Sequence, residues 1–209
     1  MKPESKFWDK IADKYAKSPI KNMDAYEQTM SRTRAYLNKE SRVLEVGCGT
    51  GSTALLLAPE LEHLTATDIS GRMIEIAQGK ATDQAIDNIT FKQAPMPDPS
   101  LEAKTYDAVL TYNTLHLLTD LPGALRCVQK TLKPGGVFIS KTPCLKEQTS
   151  LWAIPLVLAR LLRLAPYVNL LKFADVDRAI ASAGFEIVET GLYPAPLNHF
   201  VVARKISSD

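Results

Sequence analysis

The 209-residue sequence predicts an α/β fold: a doubly wound, mostly parallel seven-stranded sheet whose last strand runs antiparallel. Three observations predict it. Short runs rich in branched residues alternate with segments of helical periodicity along most of the chain, the order that builds a parallel sheet. The run Val43 to Gly51, VLEVGCGTG, passes from apolar residues straight into three alternating glycines. Two closing runs, FEIVET and FVVARK, are joined by a loop holding Pro194 and Pro196 that is short enough for an antiparallel pair.

Each element follows in order. Phe7, Trp8, Ile11, Ala12 and Tyr15 recur at helical spacing until Ser18-Pro19 breaks the pattern. A second helix is expected over 24–39, with Tyr26, Met30, Thr33 and Leu37 on one stripe. RVLEV is the first strand, and TALLLA, closed by Pro59, is the helix after the glycines. LTATD is the second strand, ending in Asp68, with Ser70 as the N-cap of the helix that carries Met73, Ile74 and Ala77. Ile89 to Ala94 makes a third strand, Pro95, Pro97 and Pro99 stud a loop, and Tyr106 to Tyr112 makes a fourth. Leu121, Leu125, Val128 and Leu132 mark a helix stopped by Lys133-Pro134-Gly135-Gly136, before VFIS as the fifth strand. A last helix is expected over 175–183, capped by Asp175 and stopped by Gly184.

Composition bounds the function. With 45% hydrophobic residues the chain can fill one core, and a single domain over 1–209 is expected, with 1–40 as a helical cap and 145–172 as an apolar insertion. Twenty-five Lys and Arg against 23 Asp and Glu, with no basic run, give nucleic-acid binding no support. Cys48, Cys127 and Cys144 are widely spaced and form no metal-ligand pattern, so no metal is expected. They read as reduced thiols. The charged, amphipathic MKPESKFWDKIADKY is not a secretory signal, which makes a cytoplasmic location the expectation.

In an open α/β sheet, ligands bind outside the carboxyl ends of the strands, where the chain order reverses. Gly47, Gly49 and Gly51 follow the first strand, and Asp68 ends the second, where a carboxylate can accept both hydroxyl protons of a ribose. A nucleoside-bearing cofactor fits both. A dinucleotide fingerprint would read G-x-G-x-x-G, but here the spacing is G-x-G-x-G with Ser52 in the third fingerprint place. Glu45 adds a negative charge beside the loop, which suits a cation better than a diphosphate. The plainer readings are a tight strand-to-helix turn for the glycines and a helix-capping acid for Asp68.

With these residues the chain resembles the class I S-adenosylmethionine-dependent methyltransferases, in particular the small-molecule branch that includes ubiquinone/menaquinone C-methyltransferases. The resemblance runs from about residue 7 to about 205. It implies a Rossmann-like methyltransferase fold and S-adenosyl-L-methionine as cofactor. VLEVGCGTG resembles the family's first motif, which implies Glu45 near the methionine end and Gly47, Cys48 and Gly49 beneath the cofactor. The resemblance further implies Asp68 on the ribose, Ile69 against the adenine, and Tyr15, from the leading FWDKIADKY, over the bound cofactor. Met73, Met96 and Asn113 complete the implied cofactor set, and Tyr106 to His116 resembles the motif that borders the transferable methyl. One departure stands out: where family members often carry an acid after the third strand, this chain reads Gln93-Ala94-Pro95-Met96.

The expected activity is methyl transfer to a small, hydrophobic or amphipathic acceptor, with His116 as a candidate general base. A structural histidine is the alternative reading there, and His63 and His199 are given no role. A non-catalytic cofactor-binding sensor or partner subunit is the alternative from another class, and an NAD-dependent oxidoreductase the third reading. LWAIPLVLARLLRLAPYVNLL, over 151–171, is too interrupted by Pro155, Arg160, Arg163 and Pro166 to span a bilayer. It is expected to form a lid over the acceptor, with peripheral membrane contact or a subunit interface as alternatives.

Overall fold

RVLEV becomes the central strand β1 (Arg42–Val46), buried at every position after Arg42. A strand covered on both faces reads as a continuous apolar run, and here only Glu45 interrupts it. In the computed structural model, which describes residues 3–101, 103–147, 166–193 and 196–206, β1 pairs in parallel with β2 (His63–Asp68) and β4 (Tyr106–Tyr112). β3 (Ile89–Gln93) lies beyond β2, and β5 (Leu132–Pro143) beyond β4. β7 (Asn198–Lys205) runs antiparallel between β5 and β6 (Phe185–Leu192). The sheet order is 3-2-1-4-5-7-6, so the seven strands and the antiparallel last strand are as the sequence predicts. The winding reverses between β1 and β4, which opens a crevice at their carboxyl ends.

The helices are α1 (Pro3–Ala16), α2 (Met23–Arg34), α3 (Ser52–Leu57), α4 (Gly71–Asp83), α5 (Leu121–Thr131) and α6 (Phe173–Ser182). Alternation along each strand divides the core in two. Leu44, Val109, Phe138 and Val201 point to one face and pack with Leu125 and Val128 of α5 and Val176 and Ile180 of α6. Val43, Ala66, Leu110, Ile139 and Val202 point to the other, with Met30 of α2 and Leu57 of α3.

Polar contacts fasten the two leading helices to this frame. Asp9 on α1 accepts from Ser70 Oγ at 2.7 Å and from the Arg72 amide at 3.1 Å, which ties α1 to the start of α4. Ser70 also caps α4 by accepting from the Met73 amide, the role its position predicts. Arg32 on α2 makes a two-pronged pair with Glu189 of β6, and Thr33 bonds the Tyr112 hydroxyl at 2.6 Å.

Three sequence expectations are corrected. LKPGG does not end α5 but belongs to β5: Tyr106 pairs with Leu132 and Ala108 with Val137, so four residues bulge opposite Asp107 alone. Lys133 Nζ holds that carboxylate at 2.8 Å, and a side chain at Gly136 would meet Asp107 O and Lys133 O at 3.0 Å. The bulge therefore needs a glycine, a requirement the sequence shares with a helix stop. α2 stops at Arg34, not at 39, although Leu37 still packs on the core. The last helix starts two residues earlier than expected, and Asp175 sits in its first turn, accepting from the Lys172 amide at 3.0 Å. The lid expected over 151–171 lies outside the described residues up to 165, as does Pro194 of the β6–β7 loop. Among the described residues no helix is long and apolar enough to cross a membrane.

Candidate active site at the β1/β4 crevice

A cavity of about 360 Å³ lies at the carboxyl ends of β1, β2 and β4. The glycine loop forms one wall, and its three glycines are there for different reasons. All three have positive φ, of 72°, 54° and 76° in order. A Cβ on Gly47 would lie 2.3 Å from Thr114 Oγ1, and one on Gly51 would lie 2.9 Å from Ala77 Cβ and 3.0 Å from Phe91 Cζ. Those two glycines let the loop pack against the protein itself. Gly47 and Gly49 line the cavity, and only Gly49 has room for a Cβ, which would meet Tyr15 Cε1 at 3.6 Å.

Asp68 ends β2 beside that loop. Its Oδ2 accepts from the Gly49 amide and its Oδ1 from the Ser70 amide, each at 2.9 Å. Burial pushes its pKa up against those bonds and a further backbone hydrogen bond from Ile69, and the residue lines the cavity. Ile69, Met73, Met96 and Asn113 also line it, with Trp8 and Tyr15 of α1 across the mouth. Gln93 does not. Its Nε2 donates to Ile69 O at 3.0 Å, while Ala94 and Pro95 form the wall after the third strand.

Two sequence candidates stand behind the wall. Cys48 is buried in the α2 and α3 side of the core, where burial holds its thiol protonated. Glu45 is 2% exposed, and its Oε2 has no hydrogen-bond partner. Burial, and then the neighbouring Asp68 carboxylate, push its pKa up to about 8.

His116 lines the far side of the cavity, in a 3-10 turn over Leu115–Leu117. Its carbonyl accepts from the Asn169 amide at 2.6 Å, its Nδ1 is buried without a partner, and burial lowers its pKa to about 4. It is therefore a neutral imidazole at physiological pH. Of the other two histidines, His63 meets Thr90 on the surface, and His199 pairs with Asp177 at 2.7 Å. Neither lines the cavity. Among the described residues no cluster of three His, Cys, Asp or Glu could hold a metal.

The chain matches the family model described as a methyltransferase domain over residues 37–165, more than half its length. It belongs to the S-adenosylmethionine-dependent methyltransferase family. The family's cofactor is S-adenosyl-L-methionine. This methyltransferase is 31% identical over 105 residues to the uncharacterized methyltransferase YcgJ of Bacillus subtilis, covering 48% of this chain and 40% of that protein. It is 35% identical over 101 residues to the ubiquinone biosynthesis O-methyltransferase of Methylocella silvestris, covering 48% and 39%. The matches thus span about two-fifths of those relatives' lengths. In fold it resembles a chain from the complex of the Trm112 methyltransferase activator of Haloferax volcanii with a methyltransferase, at a TM-score of 0.81 and 14% identity over 99% of both chains.

Sequence reasoning missed several wall residues of the methyltransferase. Leu117 and Leu118 lie just after the fourth strand, at the carboxyl end where the crevice opens, and that position was the available signal. Pro143 at the end of β5 carried the same signal. Pro166 and Tyr167 belong to the apolar insertion expected over the acceptor, and they line the cavity.

Proposed function

We propose that the chain transfers a methyl group from S-adenosylmethionine to a small amphipathic acceptor. The observation that carries this reading is one cavity joining Gly49 and Asp68 at one side to His116 at the other. The residues present fit the cofactor. Gly49 leaves room for a close backbone approach, Asp68 offers a ribose two acceptor oxygens, and the orphaned Oε2 of Glu45 calls for a positively charged partner. Tyr15 covers the loop, and Met73, Met96, Ile69 and Asn113 complete the surface proposed for the cofactor. Gly47 and Cys48 shape the loop from beneath.

When bound, the cofactor supplies a methyl carbon on a sulfonium, open to in-line attack by an acceptor lone pair. The chain's task is to hold both partners in line and dry, which takes little acid-base machinery. Leu117, Leu118, Pro143, Pro166 and Tyr167 give the acceptor side an apolar wall, with the His116 imidazole as a polar group among them. That combination supports an acceptor with an apolar body and one polar group. In this reading residues 1–40 are the cap, which brings Trp8 and Tyr15 to the mouth, and 145–172 a lid, of which Pro166 and Tyr167 reach the wall.

Calorimetry tests the cofactor half. S-adenosylmethionine and its demethylated product should bind and NADH should not, since the G-x-G-x-G loop and Glu45 disfavour a pyrophosphate. Tighter binding of NADH would overturn the reading. Turnover of labelled methyl onto a metabolite extract separates an enzyme from a sensor.

For His116 the expected result is kinetic. His116→Ala should lower the single-turnover rate about 100-fold or more if the imidazole takes the acceptor's proton, with cofactor affinity unchanged. Because the imidazole stays neutral down to about pH 4, its titration should leave no inflection in the rate near pH 6.5. A normal rate in the variant returns His116 to a structural role.

A further inference from the structure

Glu45 is unusual in its surroundings. It sits mid-sheet on β1, beside Ala66 of β2 and Leu110 of β4, on the face that α2 and α3 cover. Five titratable groups bear on it: Tyr15 of α1, Tyr26 of α2, Tyr112 of β4, Cys48 of the glycine loop and Asp68 of β2. Burial holds the three tyrosines and the cysteine in their neutral, protonated forms. Asp68 is an acid. Lys141 of β5 turns its Nζ to Thr29 of α2 at 3.4 Å, and no basic group is among the charges that act on Glu45. A carboxylate here would be buried, unpaired and next to a second acid, whereas three of these neighbours, Tyr15, Asp68 and Tyr112, line the cavity.

We infer that Glu45 is a neutral carboxylic acid in the ligand-free protein and loses its proton when a ligand bearing an ammonium group enters the cavity. The inference rests on the cofactor reading above and deepens it. The O–H bond of the Glu45 carboxyl breaks, the proton leaves to solvent, and the ligand's ammonium takes over as the positive partner of the new carboxylate. No electrons change hands. The pocket thereby carries its negative charge only when a cation is there to meet it, so a neutral or anionic ligand pays the full cost of burying that charge or meets an uncharged wall. Selectivity for the amino-acid end of the cofactor then comes from a charge created on binding.

Proton counting tests this directly. Binding of S-adenosylmethionine, and of S-adenosylhomocysteine, which keeps the ammonium and lacks the sulfonium, is measured by calorimetry at pH 6.5 in two buffers of different ionisation enthalpy. With a Glu45 pKa of about 8 in the empty site, each should release about one proton per molecule bound. The association constant should rise about tenfold per pH unit between pH 6 and 7 and level off above pH 8. In Glu45→Gln the release should disappear, which separates Glu45 from Asp68 as the source; Glu45→Ala makes the same separation if that variant does not fold. Binding of either ligand without proton release overturns the inference and leaves the cofactor reading standing. Release that persists in a folded, binding-competent Glu45→Gln overturns it as well. Failure of S-adenosylmethionine to bind at all would instead overturn the cofactor reading.

Discussion

Gly47→Ala is expected to lower the unfolding free energy by about 3 kcal/mol, from two sources that can be separated. An alanine at the observed φ of +72° costs about 1–2 kcal/mol in the left-handed region. Its Cβ would also lie 2.3 Å from Thr114 Oγ1 and 2.7 Å from Thr114 Cγ2, an overlap of the kind that costs about 1–3 kcal/mol. Thr114 cannot simply swing away, because its hydroxyl donates to Tyr112 O at 3.0 Å. Adding Thr114→Ala removes the two closest overlaps and leaves the 3.0 Å approach of Thr114 Cβ, so it should recover most of the overlap part and leave the dihedral part, a coupling of about 1 kcal/mol or more in a double-mutant cycle followed by urea unfolding. Equal losses in both backgrounds would show that Gly47 is required for its dihedral alone. Gly49 shares the dihedral cost, at φ +54°, but not the overlap: its Cβ would meet only Tyr15 at 3.6 Å, so a side chain there should also act on cofactor binding through the space it fills.

Glu45→Gln is expected to stabilise the cofactor-free protein, by an amount that grows with pH. An acid held near pKa 8 in the folded chain, against 4.5 unfolded, binds more protons folded than unfolded between those values. Its contribution is complete below about pH 4.5 and is lost as pH rises through 8, a loss on the order of 5 kcal/mol at most. Glutamine keeps the shape and cannot ionise. The gap between variant and wild type should therefore be small at pH 5 and several kcal/mol at pH 8. His116 slopes the other way, since its neutral folded form loses stability as pH falls from 6.5 toward 4. It is present in both proteins and cancels in the difference. Urea midpoints at the two pH values make the measurement, and a gap that does not change with pH would mean that Glu45 is ionised in the empty site.

The fold was legible because its determinants are local. Branched runs became strands close to the residues where their patterns begin and end, β4 at Tyr106–Tyr112 and β2 up to Asp68. The misreadings occurred where one sequence pattern serves two structures. Lys133-Pro134-Gly135-Gly136 can end a helix or bulge a strand, and the choice depends on Asp107 of the neighbouring strand, which holds Lys133. Asp175 can cap a helix or sit in its first turn, and here it sits in the first turn of a helix whose Phe173 amide donates to Glu147 at 2.8 Å.

The sequence by itself determined the order of strands and helices, the glycine turn after β1 and the acid at the end of β2, because periodicity, turn chemistry and chain order are properties of neighbours along the chain. Only the tertiary structure decided that Gly47 and Gly51 are required by close packing within the protein, whereas Gly49 has room at its Cβ position, and that Gly47 and Gly49 line the cavity. It also decided that Glu45 is walled in without a cation, and that His116 keeps a bare nitrogen beside an apolar wall formed in part by Pro166 and Tyr167. Those properties depend on distance and on the exclusion of water, both of which are set by segments far apart in sequence that meet only when the sheet has closed.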